Sequence, residues 1–310
     1  MTLTAHSQSN HVPAARPCPL CSAMTPRRAL AVATWVANAP PYVQCERCGL
    51  VFHGLPIPTY DEGPPLSLES YIRGTTWKLP TNRERVNWLT RHVGGRRGRA
   101  ADIGTRDGSA VKALLDRGWD ATGFDPDTRF HQFAKQTYGI DIRRDWFTSK
   151  AVGRGSLDLV TAYHVLEHVQ EPLAWLSEIR DALKPDGHIH IETPNLRVIE
   201  AQQLIRGHAV LYTKQTLRHM LETAGFRVLS LGEFAPGGNR SYDQLNAFAQ
   251  RDEPKQLQLS LSEIDRFAQE SLARPTPDLP PSPILGVRVY RAMNRRIRRA
   301  VRRSGYRFLP

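Results

Sequence analysis

Residues 99–108 read R-A-A-D-I-G-T-R-D-G, and no other stretch constrains the chain as much. A short apolar run enters Asp102. Gly104 and Gly108 follow, and a helical pattern runs over 109–117. The order is strand, glycine turn, helix N-terminus. Glycine lets the backbone approach a ligand closely, and a helix start offers amide N–H groups without intrahelical partners. Together they make a nucleotide-sized ligand site.

Downstream, strand and helix patterns alternate. Strands are expected at 121–125, 140–143, 157–162, 188–192, 226–231 and 242–249. The run 157–162 is apolar on both faces, as a central parallel strand is. Helices are expected at 127–138, at 172–183 with Pro172 at the start, and at 214–224. The tetrapeptide Lys184-Pro-Asp-Gly187 should stop the second of these. Upstream, 82–93 reads as an amphipathic helix with Thr81 or Asn82 as N-cap. Such alternation implies an α/β fold: a Rossmann-like, doubly wound, mostly parallel seven-stranded sheet spanning 98–250. Ligands of such sheets bind at the carboxyl ends of the strands.

The four cysteines all precede Gly49, as Cys18-Pro-Leu-Cys21 and Cys45-Glu-Arg-Cys48. Each pair can set two thiolates on one tight turn, and two such turns make a closed four-sulfur site, zinc's structural preference. A thioredoxin-type redox pair is the competing reading, weakened because two pairs occur and neither lies in a βαβ context. A small zinc ribbon over 16–58 is therefore expected, with short strands near 29–36 and 42–43. Its metal would be Zn(2+) on Cys18, Cys21, Cys45 and Cys48. Residues 1–15 are polar and expected to be disordered. Residues 59–97 form a linker and leading helix. Tyr60, Tyr71 and Trp77 there either cover a ligand or pack the ribbon on the core.

At the glycine turn, Gly104-Thr-Arg-Asp-Gly108 does not fit the dinucleotide fingerprint G-x-G-x-x-G. Asp102 would face a pyrophosphate unfavourably, but it suits a ligand with an ammonium group. Asp125 ends the second strand, where an acid accepts hydrogen bonds from ribose hydroxyls. S-adenosyl-L-methionine (SAM) carries both groups.

The blocks A-D-I-G-T-R-D-G, G-F-D-P-D, L-D-L-V-T-A-Y-H-V-L-E-H-V, L-K-P-D-G-H-I-H-I-E-T-P-N and L-E-T-A-G-F occur in this order between Thr81 and Phe234. They resemble the successive motifs of class I SAM-dependent methyltransferases. The preceding cysteine pairs and G-L-V-F resemble the N-terminal zinc-binding module fused to some of these enzymes. Sugar C-methyltransferases are among them, though these usually carry a longer C-terminal domain. The resemblance implies that Asp102 and Gly104 hold the methionine part of SAM, with Gly108 starting the adjoining helix. It implies Asp125 on the ribose, Pro126 near the adenine and Asp145 toward the adenine amine. Tyr163 and His164 would border the sulfonium and the acceptor. The family commonly has Gly where this chain has Arg106. An Arg there can crowd the turn, point outward or mark a weakened SAM site.

Methyl transfer from a sulfonium is an in-line displacement, so the protein supplies alignment and, for a hydroxyl or carbon acid, a base. His titrates near neutrality, and His164 and His168 share a face if their segment is helical. His164, His168 and Tyr163 are the catalytic candidates, with His208 and Tyr212 behind them. Packed or hydrogen-bonded histidines are the competing reading, and Glu167 reads as structural. The segment Glu192-Thr-Pro-Asn195 is placed to line the acceptor pocket.

The formal charge is +12, but nine Arg fall between Arg288 and Arg307 and no acid follows Asp278. The excess therefore belongs largely to the tail. After a helix and Pro-rich linker over 251–283, residues 284–310 form a basic amphipathic helix. Its segment 286–304 suits an anionic membrane surface or a protein contact. Nucleic acid fits less well, for want of aromatic residues interleaved with the basic ones. No apolar run is long enough to span a bilayer and the N-terminus has no apolar signal core, so a cytoplasmic protein is expected, in reach of the inner membrane face. The expected activity is SAM-dependent methyl transfer to oxygen or carbon of a small-molecule or saccharide acceptor. The alternatives are an RNA methyltransferase and a SAM-fold scaffold without turnover.

Overall fold

The structure is a computed structural model and describes residues 16–24, 27–29, 42–54, 78–196, 207–232 and 244–257. The expected disordered N-terminus, the aromatic-bearing segment 55–77 and the tail helix at 286–304 lie outside these residues. The chain divides into two compact units, 1–264 and 265–310, and every described residue belongs to the first. No helix among the described residues is long and apolar enough to cross a membrane.

The main sheet has six strands: β4 (Arg99–Ile103), β5 (Asp120–Phe124), β6 (Leu157–Tyr163), β7 (Leu183–Pro194), β9 (Phe226–Gly232) and β10 (Gln244–Arg251). Their order is β5-β4-β6-β7-β10-β9, with β10 antiparallel to both neighbours and the other pairings parallel. The sheet therefore has six strands among the described residues, where the sequence suggests seven. The expected strand at 140–143 contributes one isolated bridge, Phe124 to Arg143. Ile140 and Ile142 instead bury their side chains with Val111 and Ala134, drawing the segment off the sheet edge.

Period-two alternation covers both faces. Ala100, Leu159 and Phe248 pack on one side with Val86 and Leu89 of α1 (Lys78–His92) and with Ala113 and Leu114 of α2 (Ser109–Leu115). Their sequence neighbours Ala101, Val160 and Ala249 pack on the other side. There they meet Leu176 and Ile179 of α5 (Pro172–Ala182) and Leu217 and Met220 of α6 (Lys214–Thr223). Two short helices complete the set, α3 (His131–Tyr138) and α4 (Ser149–Val152).

Two boundaries differ from the sequence reading for physical reasons. Helix α1 starts at Lys78, so Thr81 and Asn82 are interior residues. The Asn82 amide donates to Ser109 Oγ (2.9 Å) instead of capping its own helix. The expected stop at 184–187 lies inside β7: Leu183 pairs with Leu157 and His188 with Leu159, so the four residues between them bulge from the strand.

The N-terminal strands β1 (Arg27–Ala29), β2 (Tyr42–Cys45) and β3 (Val51–His53) form an antiparallel sheet completed by β8 (Val210–Leu211). Strand β8 comes from between β7 and α6. Cys18, Cys45, Cys48, Leu50 and Phe52 share one continuous core with Leu166, Val210 and Tyr212. The cysteine-bearing segment is thus built into the fold.

Candidate active site

The turn after β4 is shaped by three consecutive constraints. Gly104 has φ 71°, and a Cβ there would lie 2.5 Å from Val165 Cγ2. Gly108 has φ 75° and caps α2 in the left-handed region. Between them Arg106 has φ 46°, a conformation that disfavours any side chain, which gives a physical reason for glycine at this place in related turns. Its side chain is exposed, and its backbone N–H donates to Asp125 Oδ2 (2.8 Å).

Asp102 lies near the carboxyl end of β4, and Asp125 directly follows the last residue of the adjacent parallel strand β5. Asp102 is buried and accepts a hydrogen bond from Thr161 Oγ1 (2.6 Å). Burial pushes its carboxyl up to about 6 against the downward pull of Thr161 and Thr105. Asp125 accepts the Asp127 amide on Oδ1 (2.8 Å) and the Arg106 amide on Oδ2, and each oxygen keeps a lone pair for a further donor. Burial raises this carboxyl too, outweighing the two amides. Pro126 is half-buried beside it, Asp145 is exposed, and the neighbouring Trp146 leaves 68% of its surface exposed.

The other half of the site lies at the ends of β6 and β7. Tyr163 pairs in register with Glu192. Its hydroxyl meets His190 Nδ1 (3.1 Å), its ring lies 4.5 Å from the Arg85 guanidinium carbon, and burial raises its pKa. His164 has φ 57°, and its backbone N–H donates to the Glu192 carbonyl (2.8 Å). The ring spans two carboxylates, Nε2 to Glu192 (3.1 Å) and Nδ1 to Glu167 (3.3 Å). Burial alone would lower its pKa, but the two acids prevail and hold it above its ordinary value. His164 and His168 share no helix face, because only 166–168 forms a turn of 3-10 helix. His168 instead places Nδ1 on the Gly207 carbonyl (2.8 Å). Of the reserve candidates, Tyr212 is fully buried and His208 nearly so.

Sequence reading passed over Arg85. Its guanidinium is ion-paired with Glu192 through Nη2, donates from Nε to the second oxygen (3.3 Å) and reaches Asn82 Oδ1 (2.7 Å). Burial opposes ionisation of Glu192, yet Arg85 and His164 hold its carboxyl at about 2. The signal was present: Asn82, Arg85, Val86 and Leu89 are the buried residues of α1, at helical spacing. Two polar residues on an otherwise apolar stripe mark side chains that need buried partners.

In the N-terminal sheet, the Sγ atoms of Cys18, Cys21, Cys45 and Cys48 all lie within 4.8 Å of one another. Cys18 and Cys48 are 3.5 Å apart, Cys21 and Cys45 3.6 Å. These spacings far exceed a disulfide bond, and they approach the edge of about 3.8 Å of a tetrahedron built on Zn–S bonds of about 2.3 Å. The turns close through Ser22 N–H to Cys18 O (2.9 Å) and Gly49 N–H to Cys45 O (2.8 Å). Ser22 and Gly49 both have positive φ.

The paired acids stand at the carboxyl ends of two adjacent strands, the position at which doubly wound sheets bind nucleotide-type ligands. Residues 80–231 match the family model described as a methyltransferase domain, and this stretch of the chain is a methyltransferase domain. The ubiquinone biosynthesis O-methyltransferase of Acinetobacter baylyi is 30% identical over 119 residues, 36% of this chain and 50% of that protein. The protein of the same name from Pseudomonas aeruginosa is 29% identical over 120 residues, with the same coverage. The chain spans about half the length of these curated relatives. Among solved structures, the 1,6-didemethyltoxoflavin-N1-methyltransferase of Burkholderia thailandensis is 17% identical with a TM-score of 0.47, over 66% of this chain and 96% of that one.

Proposed function

We propose that the chain transfers the methyl group of SAM to a small-molecule or saccharide acceptor, and that the four cysteines hold a structural zinc ion. The observation that carries the first part is the pair Asp102 and Asp125, buried carboxylates at the ends of neighbouring strands around a glycine turn. SAM, when bound, supplies a methyl on a positively charged sulfur, so no residue has to activate the donor. Asp102 receives the ammonium of the methionine part, beside the backbone of Gly104 and the start of α2 at Gly108. Asp125 accepts from ribose hydroxyls with the lone pairs its two amide bonds leave. Pro126, Asp145 and the exposed Trp146 flank the adenine.

The acceptor lies against β6 and β7, at Tyr163, His164, His168 and the segment Glu192 to Asn195. His164 is held charged by two carboxylates that take both of its ring N–H groups, so its imidazolium forms a fixed wall of the acceptor pocket; it is not the group that removes a proton. The two similar ubiquinone biosynthesis enzymes are O-methyltransferases, which favours oxygen as the methylated atom. For zinc, the support is the donor set itself: four free cysteines in two tight turns at tetrahedral spacing.

Calorimetry with SAM tests the site. Asp102→Ala should weaken binding by more than about tenfold, since a charged hydrogen bond is worth roughly 1.5–3 kcal/mol. Unchanged affinity would overturn the assignment.

A further inference from the structure

Outside the acids of the cofactor site, Glu167, His168 and His208 bring one ligand atom each within 4.8 Å of the others. We infer that these three residues form a second metal site, for a divalent first-row transition ion. Two imidazoles and one carboxylate suit manganese, iron, cobalt or zinc, whereas magnesium and calcium prefer all-oxygen shells. The site differs in kind from the four-thiolate site, which selects softer ions.

The surroundings are those of oriented ligands. His168 Nδ1 lies against the Gly207 carbonyl, which can only accept, so the proton sits on Nδ1 and Nε2 keeps the lone pair. A Cβ on Gly207 would come within 3.3 Å of that nitrogen, so the close approach depends on glycine. Thr193 Oγ1 donates to Glu167 Oε2 (3.0 Å), fixing the carboxylate. The Tyr212 hydroxyl is fully buried and has no hydrogen-bond partner. A buried polar atom left in this way marks a site completed by an ion or ordered water.

His208 reaches the cluster through the cysteine-bearing sheet. Tyr42 of β2 donates its hydroxyl to the His208 carbonyl (2.9 Å), and the His53 amide, at the end of β3, donates to the Ala209 carbonyl (3.0 Å). The N-terminal sheet therefore fixes one ligand of the second site, which gives it a part in the acceptor half of the molecule. Glu167 and His208 are buried and His168 is exposed, so the ion would be closed on the protein side and open beside His168. The open positions are available to water or to an oxygen of the acceptor. This last point rests on the methyltransferase reading; ion binding does not.

The test uses the full chain carrying one equivalent of zinc, titrated with Co2+ and with Mn2+ in the absence of SAM. A second equivalent should bind per chain, with the weak visible bands of nitrogen and oxygen ligation and no new thiolate charge-transfer band. His168→Ala and His208→Ala should each weaken it more than about tenfold, and Thr193→Val about tenfold, the usual loss for a residue that orients a ligand. His92→Ala, on the exposed end of α1, should not change it. His168 is exposed, so its variant should melt as the parent does even if His208→Ala does not fold. One ion only per chain, or a second ion held unchanged by His168→Ala and Thr193→Val, would overturn the site. SAM calorimetry on the same samples separates the two readings: a second ion with no SAM binding keeps the metal site and removes the methyltransferase one.

Discussion

The two halves of the candidate site are held by different means. At the ends of β4 and β5, backbone does most of the work: Asp125 is set by two amides, and the turn by residues at positive φ. At the ends of β6 and β7, side chains from three separate stretches hold one another: Asn82 and Arg85, His164 and Glu167, Glu192 and Thr193, with His190 on Tyr163. A site made of backbone is local in sequence and tolerates substitution around it. A site made of a buried ionic network depends on every member, because a charge left without its partner is far costlier than the pair is worth.

That contrast predicts its largest effect at Arg85. Arg85→Ala leaves Glu192 fully buried beside only a half-exposed imidazole, and should cost about 3–5 kcal/mol of stability. Chemical denaturation measures it. Replacing both partners, Arg85→Met with Glu192→Leu, should recover most of the loss, since a buried ion pair is often worth no more than apolar packing. A loss under about 1 kcal/mol for Arg85→Ala, the value of an exposed pair, would show that water reaches this network and erase the difference between the halves.

The same contrast explains what could be read from the sequence. The turn at Gly104 and Gly108, the acids Asp102 and Asp125 and the order of helices and strands were legible, because each depends on neighbours within a few residues. The pairing of the two cysteine turns was legible for the same reason. The contact of Arg85 with Glu192 was not: it joins residues 107 apart, and neither residue's own stretch names the other as its partner. Nor was β8 legible, since two residues carry no period, and only the register with Val51 and Phe52 makes them a strand. The weak edge at 140–143 shows the converse: two isoleucines at strand spacing obeyed the helix beneath them instead of the sheet beside them.

A smaller effect is expected at Asp102, and its sign is fixed by burial. Its folded pKa of about 6 lies above the ordinary 3.8, so the folded state binds its proton more tightly than the unfolded state does. Its contribution to stability is fully present below about pH 4 and is lost as pH rises through 6, up to roughly 3 kcal/mol at about 1.36 kcal/mol per unit. Asp102→Asn should flatten that part of the stability profile while weakening SAM binding. At pH 5.5, binding the ammonium of SAM should expel a proton from Asp102, seen as calorimetric heats that vary with the ionisation enthalpy of the buffer. Heats independent of buffer would mean that the ligand's cation does not meet this carboxylate.

The smallest effect sharpens the comparison most, because it separates backbone from side chain at a single residue. Arg106 has φ 46°, where a side chain costs about 1–2 kcal/mol, and glycine removes that cost while loosening the unfolded chain by about 0.4–1 kcal/mol. Arg106→Gly should therefore stabilise the protein by up to about 1.6 kcal/mol, read as a higher denaturation midpoint with an unchanged slope. The residue's tie to Asp125 is its backbone N–H, which glycine keeps, so SAM affinity should stay within about twofold, a difference near 0.4 kcal/mol. A tenfold change in either direction would show that the guanidinium belongs to the cofactor site. The first half of the candidate site would then rest on a side chain as the second half does, and the departure from glycine at this position would carry functional meaning.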